Sequence, residues 1–199
     1  MKILIVFAHP CRESYGAALF DATCKTLTEA GHDLRLIDLY REGFNPVLSE
    51  KDWKDYLTDT PRLIGNVHPH AEALTWAEGL ILIFPTWYYG PPAILKGWLD
   101  RVWLPGVAFD IPAAQGKRAT GKLRNIRAFT VITTSGSPWW WLRLIRDPGR
   151  SMLMRGMRVL FHPRCRMRWM QLHDMNHRSE ADRIAFLSRL RRHLPGMAS

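Results

Sequence analysis

The chain has 199 residues, is 47% hydrophobic, and carries 28 Lys and Arg against 18 Asp and Glu, a formal charge of +10. That length suits one domain, taken as residues 1–199, and the three scattered cysteines fit neither a disulfide framework nor a zinc site. No apolar run approaches the roughly 20 residues of a membrane span, and Ile3–Ala8, ended by His9 and Pro10, is too short for a signal-peptide core, so a reducing, cytoplasmic setting is expected.

"KILIVFA" predicts a first strand buried on both faces. Ser14 is placed to cap a helix running to about Ala30, with Leu19, Ala22, Leu27 and Ala30 inward and Gly31 closing it. "DLRLIDL" alternates as a second strand. Residues 40–67 are the least regular, with one short helix predicted from Ser49, where Ser49 and Asp52 make a capping pattern. "HAEALTWAE" reads as a short helix and "GLILIFP" as the third strand. Pro91 and Pro92 suit a first helical turn, after which Ile94, Leu95, Trp98, Leu99 and Val102 recur at helical spacing, with Lys96 and Asp100 one turn apart on the other side.

"NIRAFTVITT" makes a fourth strand, and residues 139–157 are expected to be helical with a break at Pro148–Gly149. "CRMRWMQLH" is the fifth strand, and a last helix starts at Ser179 and Asp182 before Ile184, Leu187, Leu190 and Leu194. Strands alternating with helices predict an α/β fold: a doubly wound, five-stranded parallel sheet of order 2-1-3-4-5 in a three-layer αβα arrangement.

In that topology ligands bind beyond the carboxyl ends of the strands, where strands 1 and 3 separate. Three loops meet there. "AHPCRESYG" leads into a helix N-terminus, which favours a phosphate, and Ser14 adds a hydroxyl. The loop has no Walker pattern and no G-x-G-x-x-G, so a nucleoside triphosphate or a Rossmann-bound dinucleotide is not indicated. "PTWYYGP" offers the flat faces of Trp87, Tyr88 and Tyr89, and "TTSGSP" offers Thr133, Thr134, Ser135 and Ser137 beside Gly136. Each feature alone has a plain structural reading as an N-cap, a packed aromatic cluster or a turn. Their convergence describes a flavin pocket.

"AHP" with Ser14 downstream, "FPTWYYGPPAILKGWLDRVW" followed by "PGVAF", and "TTSGSP" resemble the flavodoxin-like NAD(P)H dehydrogenase (quinone) family, which includes the quinone reductases and the ancillary oxidoreductases of potassium efflux systems. The resemblance implies a bound FMN or FAD, NADH or NADPH as donor, and hydride transfer through flavin N5 to a quinone-like acceptor in ping-pong order. It also implies a homodimer with sites at the interface. It places His9, Ser14 and Tyr15 near the flavin phosphate and ribityl chain, and Pro85, Thr86, Trp87 and Tyr88 along the ring. Thr133, Thr134, Ser135, Gly136 and Ser137 fall on the ring edge, with Tyr89 and Phe109 toward the substrate, Phe109 from the second subunit. The chain departs from the family after strand 4, where "SGSPWWWLRLIRDPGR" holds no histidine to assist hydride transfer. No catalytic side chain is therefore assigned, and FMN is preferred with FAD as the alternative.

Charge divides the chain: residues 1–116 carry 10 Lys and Arg against 14 Asp and Glu, residues 117–199 carry 18 against 4, and arginine dominates the excess. Arginines suit phosphate, including the 2′-phosphate of the NADPH that the resemblance implies as donor, anionic lipid or nucleic acid, the plain reading being a solvated face. "WWWLRLIR" suits a bilayer interface, giving peripheral membrane contact as a second reading, although three consecutive residues cannot share one helical face and at least one tryptophan is expected inside. Two other functions stay open: a flavin-bearing regulatory subunit docking on a membrane transporter, and a basic nucleic-acid-binding protein, which would leave the loops without purpose. His68 and His70 alternate like metal ligands without a third or fourth, and His162, His173 and His177 receive no role.

Overall fold

A computed structural model describes residues 1–112 and 118–197. In chain order the elements are β1 (Lys2–Phe7), α1 (Tyr15–Glu29), β2 (Asp33–Asp38), α2 (Glu50–Asp55), α3 (Thr60–Asn66), α4 (His68–Trp76), β3 (Gly79–Pro85), α5 (Ala93–Val102), β4 (Phe109–Asp110), β5 (Thr120–Gly121), β6 (Ala128–Thr134), α6 (Trp139–Leu144), α7 (Pro148–Ser151), β7 (Arg166–Leu172) and α8 (Glu180–His193). Five strands form one parallel sheet in the order β2-β1-β3-β6-β7, the expected 2-1-3-4-5, while β4 and β5 pair antiparallel as a separate ribbon.

Alternation along the inner strands sends neighbouring side chains to opposite layers. Leu4, Val6, Leu80, Leu82 and Val131 pack with Leu74, Leu95 and Trp98 of α4 and α5 on one face. On the other, Ile3, Ile5, Phe7, Ile81, Ile83 and Ile132 pack with Leu19, Phe20 and Leu27 of α1 and Phe186 and Leu190 of α8. Each fully buried Leu, Ile or Phe contributes about 1.5–3 kcal/mol of transfer free energy, so these two layers hold the rim loops in register. The irregular segment after β2 packs onto α5 so closely that a Cβ on Gly97 would sit 2.3 Å from Pro46.

Several expectations are corrected. Ala30 is the exposed C-cap of α1, not part of its buried face, which instead adds Ala17, Phe20 and Thr23. Ile184 faces solvent, and Phe186 takes the core position. Helix α3, capped by Asp59 with Pro61 in its first turn, and the β4–β5 ribbon were not anticipated. Residues 139–157 are helical with a restart at Pro148, as expected, although α6 and α7 are short and a π turn over Met152–Gly156 follows. No tryptophan of the triplet is packed inside: Trp139, Trp140 and Trp141 are 61%, 56% and 36% exposed, and Leu142 anchors α6 alone. No described helix is long and apolar enough to cross a membrane.

Candidate functional site

β1, β3 and β6 lie side by side, with Phe7 opposite Ile83 and Ile83 opposite Ile132, so the loops that follow them share one rim. In the first loop, Ser14 Oγ donates to the Cys11 carbonyl at 2.7 Å and accepts from the Ala17 amide at 3.1 Å. That cap leaves the Tyr15 and Gly16 amides, at the positive end of a 15-residue helix, without an acceptor among the described residues. His9 Nδ1 accepts from the Cys11 amide at 3.0 Å, and its ring stacks on Phe7 with centroids 6.4 Å apart. Burial lowers the His9 pKa against the Cys11 backbone bond, so the ring is neutral near pH 7. Tyr15 Oη donates to the Arg183 carbonyl at 2.8 Å, and burial pushes its pKa up to about 12, with Arg183 opposing.

The second loop is a tight hairpin. Trp87 and Gly90 exchange backbone bonds of 3.0 and 3.1 Å, and the two residues between them, Tyr88 at φ 50° and Tyr89 at φ 65°, both sit in the left-handed region. Such two-residue turns ordinarily take Asn-Gly, because a side chain there costs about 1–3 kcal/mol. Contacts from beyond β6 hold the geometry. The Gly149 amide donates to the Tyr89 carbonyl at 2.9 Å, and Trp141 Nε1 donates to Tyr89 Oη at 3.2 Å. A Cβ on Gly149 would lie 2.8 Å from that carbonyl, so glycine is required there. Tyr88 is 99% exposed, and neither its amide nor that of Tyr89 has an acceptor among the described residues.

The third loop is clamped to the second. The Thr86 amide donates to the Thr134 carbonyl at 2.8 Å, and the Thr86 and Thr133 hydroxyls are 2.9 Å apart. Ser135 Oγ donates to the Ser137 carbonyl at 3.0 Å, while the amides of Met175 and Asp174 donate to the carbonyls of Ser135 and Ser137. Thr86, Tyr88, Tyr89, Ser135, Gly136, Ser137 and Leu142 line a cleft of 360 Å³ between these loops. Pro85, Trp87, Thr133 and Thr134 stand outside this lining, and Thr133 and Thr134 act as ties between loops. His9, Ser14 and Tyr15 occupy the adjacent loop. Phe109 is on β4, half-buried against the core, and does not line the cleft.

Residues 1–192 match a family described as having a flavodoxin-like fold. The chain belongs to this flavodoxin-like family. It is 37% identical over 108 residues to YcaK of Escherichia coli, named as an uncharacterised NAD(P)H oxidoreductase, covering 54% of this chain and 55% of that protein. It is 32% identical over 151 residues to NAD(P)H dehydrogenase (quinone) 1 of Cavia porcellus, covering 68% and 54% of the two. The structure of an NAD(P)H:quinone oxidoreductase from Methanothermobacter marburgensis superposes with a TM-score of 0.83 at 28% identity, over 98% of each chain. The chain spans rather more than half the length of the curated relatives it matches.

Three buried polar atoms near the flavodoxin-like rim have no partner among the described residues: Nε of Arg183, Nδ1 of His173 and Nε2 of Gln171. The main-chain carbonyl of Arg183 accepts from Tyr15 at the end of the first loop and its charge acts on that phenol, and Gln171 and His173 come from the carboxyl end of β7, whose next residues bond to the third loop. Burial lowers the His173 pKa, Asp147 opposing and Arg178, Arg150 and Arg189 adding to the shift, so it is neutral near pH 7. Together with the free amides of Tyr15, Gly16, Tyr88 and Tyr89, these atoms suit a flat, hydrogen-bonding ring with an anionic tail. Sequence reasoning gave Leu142, His173 and Arg183 no role. The topology held the signal for His173, since "QLHD" ends the strand beside β6.

Among the described residues no group of three His, Cys, Asp or Glu could hold a metal ion. His70 is occupied structurally: its Nδ1 accepts from Trp98 Nε1 at 3.3 Å and its ring packs edge-on against Phe44.

Proposed function

We propose that the chain is a flavin-dependent NAD(P)H oxidoreductase that passes two electrons to a quinone or similar acceptor, with FMN as the cofactor and FAD as the alternative. The observation that carries this reading is the Tyr88–Tyr89 turn, kept in a costly conformation where its free amides and aromatic faces border the cleft. Relatives named as NAD(P)H dehydrogenases and oxidoreductases support it. A bound flavin would supply the hydride chemistry at its N5, and one ring serving donor and acceptor in turn gives ping-pong kinetics.

The chain's own residues position, neutralise and exclude water. The Tyr15 and Gly16 amides and Arg183 Nε would hold the phosphate, where a helix N-terminus and a guanidinium act together. Amides and hydroxyls of the second and third loops would bond the ring edge, and Leu142 would close the cleft on its apolar side. Substrate would meet Tyr89 and, from a second copy, Phe109. For that homodimer we propose the apolar groove of 770 Å³ beside α2 and α5, lined by Trp53, Tyr56, Leu57, Leu99 and Trp103. Exposed Trp53 and Leu57 there are costly in water and would be covered by a second copy.

The direct test incubates the purified protein with FMN or FAD, removes the excess, and follows NADPH oxidation with a soluble quinone. Retained flavin and quinone-dependent oxidation are expected. Retained flavin without oxidation would put a flavin-bearing docking subunit in place of the enzyme, and steep salt-dependent DNA binding without flavin would favour a nucleic-acid binder.

A further inference from the structure

The segment that locks the aromatic turn also builds a second cleft. After α6 the chain passes through Arg146 and Asp147, both at positive φ, into α7 and the π turn. This path sets Arg143, Arg146, Arg150 and Arg155 around one cleft of 780 Å³, with Trp139 at its edge and His173 on its inner wall. All four arginines are exposed, and none of their guanidiniums makes a hydrogen bond or an ion pair among the described residues. Some arginines elsewhere are matched, Arg12 with Asp38, Arg35 with Glu72, and Arg62 with Asp52 and Asp55, whereas these four gather unpaired in one cleft. The one carboxylate in the cleft, Asp147, accepts from the Arg150 backbone amide as the cap of α7. Four like charges gathered around a single carboxylate in a concave site leave an excess arranged for a polyanion.

Position says which polyanion. The arginine cleft and the ring cleft share Leu142, so a ligand crossing that residue would bring its flat end over a flavin seated between Tyr88 and Ser135 and leave its remainder among the guanidiniums. A nicotinamide dinucleotide has that layout: a flat reacting ring, then a diphosphate, then an adenosine. Planar guanidiniums bind phosphate oxygens in pairs, and two suffice for a diphosphate. The other two are in excess for NADH, whose adenosine carries no further charge, and match the 2′-phosphate of NADPH. The exposed indole of Trp139 offers a face on which adenine can stack.

We propose that Arg143, Arg146, Arg150 and Arg155 form the phosphate subsite of the nicotinamide donor and select NADPH over NADH. This assignment rests on the donor reading of the ring cleft, and its test separates the two. Adenosine 2′,5′-bisphosphate and 5′-AMP contain no nicotinamide, so their binding to the flavin-loaded protein, measured by calorimetry, reports the arginine cleft alone. The bisphosphate is expected to bind at least about tenfold more tightly than 5′-AMP, as a charge-assisted hydrogen-bond pair predicts. Arg143→Gln combined with Arg150→Gln is expected to remove that difference, with Lys at both positions restoring part of it. In turnover the Gln pair should lower kcat/KM for NADPH about tenfold or more, and by a larger factor than it lowers the value for NADH, which loses diphosphate contacts only. A circular dichroism spectrum matching the parent's excludes misfolding, since neither side chain packs in the core.

Equal binding of the two nucleotides overturns the proposal. So does loss, in the Gln pair, of binding to phosphatidylglycerol vesicles with nucleotide binding unchanged, which gives the cleft to a lipid headgroup. Tight bisphosphate binding by a protein that oxidises no NADPH upholds the subsite and sinks the oxidoreductase reading. NADPH oxidation without preference over NADH does the reverse.

Discussion

The first and second rim loops lie on neighbouring strands but are built by opposite means. In the loop after β1 the chain satisfies itself: Ser14 bonds both Cys11 and Ala17, and His9 bonds Cys11, all within a few residues. In the loop after β3 the local sequence opposes its own conformation, since Tyr88 and Tyr89 both stand in the left-handed region. That turn survives because Gly149 and Trp141, some 50 to 60 residues on in sequence, bond Tyr89. One loop is a local product, the other an imposed one. Imposed geometry belongs where a ligand needs a shape that the chain does not adopt by itself.

The comparison can be broken most strongly at Gly149. Gly149→Val sets a branched side chain against the Tyr89 carbonyl, and about 3 kcal/mol of destabilisation is expected from overpacking, read as a fall in thermal midpoint of about 6–12 °C. Flavin retention should fall with it; an unchanged midpoint would mean that Gly149 does not hold the turn. The reverse experiment removes the strain. Tyr88→Asn with Tyr89→Gly should raise stability by about 1–2 kcal/mol in urea unfolding while weakening flavin binding, because the turn then forms without its aromatic faces.

Smaller effects are expected in the self-satisfied parts. Ser14→Ala removes the cap of α1 and should cost about 1 kcal/mol, with flavin affinity changed less than by the Gly149 substitution. The pH arm uses α8, where Ser179 Oγ and its amide bond Asp182 at 2.8 and 3.0 Å and hold that carboxyl below its usual pKa. A depressed folded-state pKa stabilises above the unfolded value, about 4, and the benefit is lost as pH falls through the lower folded value. The stability gap between the parent and Asp182→Ala should therefore be open at neutral pH and narrow in acid. A gap that widens in acid would contradict the capping account.

Much of this was legible in the sequence. "KILIVF", "GLILIFP" and "AFTVITT" are mostly apolar without strict alternation because both faces of inner parallel strands are buried, and alternation with helices then gave the sheet order. Loop chemistry put six cleft residues at one rim. What escaped depends on contacts the sequence does not encode locally. α3 carries only Leu63 buried, too short a stripe for periodicity to register, and β4 and β5 are two residues each. Burial of one tryptophan was expected from helical geometry, but a six-residue helix held by Leu142 leaves its first turn outside. His173 and Arg183 were passed over because their meaning comes from elements that meet only in the folded chain.

The central claim is that the rim is shaped for a flavin that NAD(P)H reduces. The most direct measurement is the visible absorbance of the purified protein after incubation with FMN and gel filtration, followed under anaerobic conditions on addition of NADPH. Retained yellow colour that bleaches with the donor and returns with a soluble quinone is the predicted result. A colourless protein that keeps neither FMN nor FAD would contradict it.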